Sequence, residues 1–199
     1  MNLPNQLTIG RLVLTLFFVA SLSTDWKWSA TVALLLFLAA AVTDYLDGEI
    51  ARRRNLITNF GKLMDPLVDK ILVAAALVLL VEQGLLWGWT VVAVVGREFL
   101  VTGLRLLAAS DGRIVSADTL GKWKTTIQLV TVIFLLTYLA AQEPALRWLN
   151  ETIFAQPLLS PARLGKALEF AMLGLTLVSG FDYLAKNRQL LADSESVSS

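Results

Sequence analysis

The sequence predicts an all-α integral membrane bundle of about six transmembrane helices with a polar cavity facing the cytoplasm. Three observations predict it. The 199-residue chain is 56% hydrophobic, with a mean hydropathy of +0.64. Its apolar residues fall in runs of roughly twenty, the length a helix needs to cross a hydrocarbon core while satisfying its own backbone. Its 17 basic and 16 acidic residues are concentrated between those runs.

The first span is expected over 7–23. The opening MNLPNQL lacks a basic start and the first apolar run carries Arg11, so a cleavable signal peptide is not indicated. Pro4 and Asn5 precede the span, which places 1–6 along the interface. A second span is expected over 29–46 and a third over 66–82, where Pro66 suits a first helical turn capped by Asp65. The fourth, 86–108, holds Arg97 and Glu98 near its middle. An unpaired charge there costs about 2.5–3.5 kcal/mol on insertion scales, so both should face the bundle interior. The fifth is expected over 123–141. The longest non-spanning stretch, 142–164, contains Pro144, Pro157 and Pro161, with room for a short amphipathic helix around Arg147–Phe154. The sixth span is expected over 165–184.

No linker or internal repeat divides the chain, which reads as one membrane domain, 1–185, and a polar tail, 186–199. Orientation follows from the basic residues. With six spans, Arg11, Arg52, Arg53, Arg54, Lys62, Lys70, Arg105, Arg113, Lys122, Lys124, Lys186 and Arg188 fall near one side. Only Lys27, Arg147, Arg163 and Lys166 fall near the other. The excess marks the first side as cytoplasmic and the protein as multi-pass in the cell (inner) membrane. Trp26, Trp28, Trp87, Trp89 and Trp148 cluster at the opposite span ends, as interfacial anchors do. Cysteine and histidine are both absent, which excludes thiol chemistry and leaves carboxylates as candidate bases.

Residues 44–69 read DYLDGEIARRRNLITNFGKLMDPLVD. On helices, Asp44 and Asp47 share a face, as do Asp65 and Asp69. Two such helices side by side bring four carboxylates into one pocket, where they repel unless cations lie among them. Hard oxygen donors without imidazole or thiolate suit Mg²⁺, Mn²⁺ or Ca²⁺, and two such ions suit a phosphate-containing substrate. Gly48 lets a diphosphate approach the backbone, Ala51 extends that small surface by a turn, and the Arg52 fork suits phosphate or carboxylate. Gly61 ends the loop and permits close approach of the third helix.

These residues match the signature D-x2-D-G-x2-A-R-x8-G-x3-D-x3-D, and on it the chain resembles the CDP-alcohol phosphotransferases. Those are integral membrane enzymes that move a phosphatidyl or similar group from a CDP-linked donor to an alcohol. The resemblance implies that Asp44, Asp47 and Asp65 ligate two Mg²⁺ ions (Mn²⁺ also serving), with Asp65 bridging. It implies that Asp69 shares in metal binding and acts as base on the incoming hydroxyl. A metal-bound carboxylate is a poor base, however, so Asp69 as catalytic base and Asp69 as ligand alone both stay open. Asp47, Gly48, Ala51 and Arg52 are implied to contact the CDP portion, with Asn5, Thr8 and Arg11 closing the donor site from the first helix.

The segments GREFLVTGLRLLA and GKWKTT, with the opening PNQLTIGR, resemble one branch of that family over the chain to about residue 185. The implied donor is CDP-diacylglycerol and the implied acceptor sn-glycerol 3-phosphate, giving phosphatidylglycerophosphate and CMP. Arg97, Arg105, Lys122 and Lys124 are then expected around the acceptor phosphate, since cations neutralise it in a dehydrated cavity. The alternative is that they set topology or contact anionic lipid. The resemblance also implies a homodimer among membrane lipids, and no nucleic-acid partner is expected. Phosphatidylglycerol, inositol or an inositol phosphate are rival acceptors, although a neutral acceptor makes the basic cluster unnecessary. A cation transporter would need acidic residues near the midplane and discontinuous helices in repeated halves, whereas here the aspartates sit at span ends and no repeat appears.

Overall fold

The computed structural model describes residues 3–54, 59–110 and 119–187, and every long element among them is helical. The helices are α1 (Leu3–Leu22), α2 (Ser29–Arg54), α3 (Asn59–Glu82), α4 (Gly88–Ser110), α5 (Thr119–Ala141), the single turn α6 (Arg147–Leu149) and α7 (Lys166–Lys186). A π-helical turn, Asn150–Phe154, extends α6, and another, Pro161–Gly165, leads into α7. The short helix expected around Arg147–Phe154 is therefore present, and the polar tail from residue 188 lies outside the described residues.

Two helix starts and one helix end differ from the sequence expectation. α1 begins at Leu3, so Pro4 and Asn5 belong to its first turn instead of an interfacial segment. α2 runs on to Arg54, and α3 begins at Asn59 instead of Pro66. Hydropathy ends where charges begin, but Glu49-Ile50-Ala51-Arg52 favours helix as well as the apolar residues before it. Asp65 consequently lies well inside α3 and does not cap it, and Pro66 interrupts the ladder because it has no N–H to give the carbonyl of Lys62.

Successive long helices alternate in direction. The starts of α1, α3 and α5 therefore share one end of the bundle with the finishes of α2, α4 and α7. Around the bundle α1 packs on α2, α2 on α5, α5 on α7, α7 on α4, α4 on α3, and α3 on α1, while α3 also touches α5 across the middle. Ala33, Ala40 and Ala76 are fully buried at these contacts, and Phe18 meets Phe37 at 5.7 Å between ring centroids. Leu77, Leu80, Leu135, Leu136 and Met172 fill the centre. Truncating one of these to alanine would cost about 2–5 kcal/mol.

Two glutamates close the end opposite the acidic motif. Glu143, just past α5, accepts hydrogen bonds from the backbone N–H of Ala30 (2.7 Å) and of Thr31 (2.9 Å), capping α2 from another part of the chain. Glu169 on α7 is 1% exposed and accepts from the Trp87 N–H at 2.7 Å and the Thr90 hydroxyl at 2.9 Å, capping α4. Lys166 donates to its other oxygen at 2.7 Å and lies over the Trp87 ring. The first helical N–H groups have no intrahelical acceptor, and a carboxylate there is favoured by the helix dipole as well.

Apolar side chains also cover the outside, including Leu16, Phe17, Val78, Phe99 and Phe181. Among the described residues two helices are long and apolar enough to cross a membrane, Thr119–Ala141 and Pro161–Lys186, with shorter apolar stretches at Ile9–Leu22 and Ser29–Thr43.

Candidate active site

The acidic motif is carried entirely on two helices. Asp44, Asp47, Gly48, Ala51 and Arg52 lie on the last part of α2, and Gly61, Asp65 and Asp69 on the first part of α3, at the same end of the bundle. Their side chains, with those of Asn5 and Thr8 on α1, fall outside the described residues. The helical backbone supports the expected spacing of both aspartate pairs. As a donor set, carboxylate oxygens without imidazole or thiolate fit a hard divalent cation. Among the described residues no group of three or more acidic, histidine or cysteine side chains gathers that could hold a metal. Arg11, one turn and more along α1, is 1% exposed, with the Thr15 hydroxyl bonded to its carbonyl at 2.8 Å.

Beside this motif a charged cluster joins three helices. Glu98 of α4 accepts at one carboxylate oxygen from Lys124 Nζ of α5 at 2.6 Å and from Arg97 Nη1 at 2.9 Å. Its other oxygen lies 3.9 Å from Lys70 Nζ of α3. Lys70 also donates to the Thr102 hydroxyl and to the Glu98 carbonyl (3.4 Å), and that hydroxyl in turn donates to the same carbonyl at 2.7 Å. Lys124 is 2% exposed, so its ammonium is held by this network and not by water. Arg97 is confined by small neighbours. A Cβ on Gly180 would stand 3.3 Å from its Cγ, and one on Gly121 3.6 Å from its Nη2. Its Nε is buried and has no hydrogen-bond partner among the described residues.

Lys70, Glu98, Lys124 and Gln128 line the polar part of a cavity of about 280 Å³, whose remaining wall includes Phe37, Leu67, Ile71, Val94, Val95 and Phe99. Of the four cations expected around an acceptor phosphate, the structure brings together Arg97 and Lys124. Arg105 is exposed, with its guanidinium 5.7 Å from the centre of the Tyr183 ring, and Lys122 is exposed at the start of α5. Neither makes one of the contacts to the Glu98 carboxylate described above.

Two participants were not singled out from the sequence, Lys70 and Gln128. Lys70 had a readable signal: no other charge interrupts the apolar run from residue 71 to 81. An ionisable side chain there implies a polar partner inside the bundle. Gln128 carries a weaker signal of the same kind.

Comparison with known proteins agrees with the motif. The CDP-alcohol phosphatidyltransferase family model matches residues 1–161. The CDP-diacylglycerol–glycerol-3-phosphate 3-phosphatidyltransferase of Bacillus subtilis (strain 168) is 40% identical over 205 residues, spanning 97% of this chain and 98% of its own. The Shigella flexneri serotype 5b (strain 8401) protein of the same name is 37% identical over 196 residues, 96% of this chain and 98% of its own. A cardiolipin synthase (CMP-forming) of Oryza sativa subsp. japonica is 42% identical over 150 residues, which is 68% of this chain but 46% of that protein.

Proposed function

This chain belongs to the CDP-alcohol phosphatidyltransferase family, and from that we propose that it transfers the phosphatidyl group of CDP-diacylglycerol to sn-glycerol 3-phosphate, releasing CMP. Near end-to-end similarity to proteins of that activity supports the reading. The observation that carries the choice of acceptor is the meeting of Arg97 and Lys124 at the Glu98 carboxylate, with Glu98 and Lys124 lining a cavity beside the acidic helices. A phosphomonoester supplies the oxyanion such donors bind, and a neutral alcohol does not.

Asp44, Asp47, Asp65 and Asp69 would hold two divalent cations, Mg²⁺ or Mn²⁺ by donor chemistry, and bound ions there would offset the charge of the donor's diphosphate. The acceptor hydroxyl attacks the phosphorus that carries diacylglycerol, the bond to CMP breaks, and the hydroxyl proton passes to Asp69. Arg52 balances charge on the departing phosphate, and Gly48 and Ala51 leave room for the nucleotide. Arg97 and Lys124 orient the acceptor through its phosphate, with Arg105 and Lys122 guiding it at the mouth. Asn5, Thr8 and Arg11 close the donor site from α1.

The long helices form six spans in the cell membrane, with the acidic end and its excess of Lys and Arg on the cytoplasmic side. A homodimer accords with the family. The test is purified protein with CDP-diacylglycerol, Mg²⁺ and one acceptor at a time: glycerol 3-phosphate, phosphatidylglycerol, inositol or inositol phosphate. CMP release is expected with glycerol 3-phosphate and to stop on chelation of the metal. Release with phosphatidylglycerol but not glycerol 3-phosphate would replace this assignment with the reaction named for the rice relative.

A further inference from the structure

The two oxygens of the Glu98 carboxylate are used unequally. Oε1 accepts from Lys124 Nζ at 2.6 Å and from Arg97 Nη1 at 2.9 Å, and these bonds neutralise the group and hold it in place. Among the described residues no donor lies within hydrogen-bond distance of Oε2. The Lys70 ammonium stands 3.9 Å from it and donates to the Thr102 hydroxyl and the Glu98 carbonyl. The Glu98 side chain is 23% exposed and lines the cavity beside the acidic helices, as does Lys124. An ionisable group in the middle of an apolar span needs polar partners, and Oε1 already has them. Oε2 is therefore a strong acceptor with capacity to spare at a cavity wall. An ionised carboxylate accepts and cannot donate, so it repels a phosphate and takes a hydroxyl.

We infer that Glu98 is a specificity-determining contact of the enzyme, its Oε2 accepting a hydrogen bond from the hydroxyl of the acceptor that does not react. This rests on the proposed use of glycerol 3-phosphate and names the part of that molecule that is read. Glycerol 3-phosphate carries a phosphate at one end, a hydroxyl at the other that attacks, and a middle hydroxyl on the carbon between. Lys124 and Glu98 touch, so a phosphate on the ammonium and a hydroxyl on Oε2 match two neighbouring groups of one small molecule. The reversed placement sets the phosphate against the carboxylate and is disfavoured. Because the middle hydroxyl is unchanged in the reaction, Glu98 acts on binding and alignment. A site built around a substrate hydroxyl rejects the analogue that lacks it, since its own acceptor is then left unpaired.

The experiment uses the full-length enzyme in detergent, with kcat/KM measured by CMP release for two acceptors. One is glycerol 3-phosphate and the other 3-hydroxypropyl phosphate, which lacks only the middle hydroxyl. The parent is expected to prefer glycerol 3-phosphate on the order of ten- to a hundredfold. Glu98→Met is expected to bring that preference within about twofold, whatever it does to overall turnover. Should the Met variant fail to accumulate, Glu98→Gln, which keeps a weaker acceptor, is expected to lower the preference to about threefold. A carboxylate that only neutralised Arg97 and Lys124 would slow both acceptors alike and leave the preference intact. A parent preference within about twofold, or a full preference in the Glu98 variant, would overturn the inference. Lys124→Met should weaken both acceptors, each of which carries the phosphate, and keep the preference. Loss of the preference there as well would assign it to collapse of the cluster and equally overturn the role of Glu98. A parent that releases no CMP with glycerol 3-phosphate refutes the proposed acceptor itself, whereas turnover without preference refutes only the contact to Glu98.

Discussion

Replacing Glu169 with alanine is the most direct test of how the bundle is held together. The carboxylate is buried and serves three donors: the Trp87 N–H, the Thr90 hydroxyl and Lys166. Alanine leaves the first two without their acceptor in a water-poor site and removes the anion that Lys166 neutralises. Breaking a buried, hydrogen-bonded charge pair in this way costs about 3–5 kcal/mol. At about 2–4 °C per kcal/mol for a chain of this size, the thermal midpoint in detergent should fall by about 6–20 °C. Glu169→Gln keeps an oxygen for Trp87 and Thr90 and loses chiefly the partly exposed ion pair with Lys166, so its loss should be about 1 kcal/mol. A midpoint for the alanine variant within about 2 °C of the parent, or a glutamine variant as damaged as alanine, would refute the cap assignment.

Asp44→Asn, Asp47→Asn, Asp65→Asn and Asp69→Asn should each reduce CMP release by orders of magnitude in protein that still inserts. Metal binding retained by Asp69→Asn with turnover lost would identify a base, and loss of both would identify a ligand. Lys124→Ala should raise the acceptor KM on the order of ten- to a hundredfold, whereas the exposed Lys122→Ala should change it far less at moderate salt. Equal effects in steady-state kinetics would place the phosphate at the mouth instead of the Glu98 cluster. Gly174→Ala, with nothing among the described residues within 4 Å of the new Cβ, should gain up to about 1 kcal/mol of helix stability in thermal unfolding. Gly180→Ala on the same helix should lose that gain, because its Cβ meets Arg97 Cγ at 3.3 Å, and should also raise the acceptor KM.

Periodic, local features were legible in the sequence, and features made by distant partners were not. The long apolar runs located every long helix, and the acidic motif identified the family before any packing was known. Hydropathy could not follow α2 to Arg54 or α3 back to Asn59, because a helix continues wherever its backbone is satisfied, charged or not. Four basic residues could be assigned to one phosphate by charge. Only tertiary packing separates Lys124, turned inward against Glu98, from Lys122 two positions earlier on an exposed face. Glu143 and Glu169 looked like ordinary loop and helix charges, since their partners lie 112–113 and 79–82 residues earlier in the chain.

Those separations have a consequence for biogenesis. A ribosome makes α2 and α4 well before it makes the glutamates that cap them. While the nascent chain emerges, the first turns of both helices rely on water or lipid head groups for their N–H partners. The arrival of residues 143–169 then replaces those temporary partners with permanent ones, fastening two early helices with residues translated later. Assembly of this end waits for residues 143–169, so a protein stalled after α5 would hold α2 and α4 without their caps.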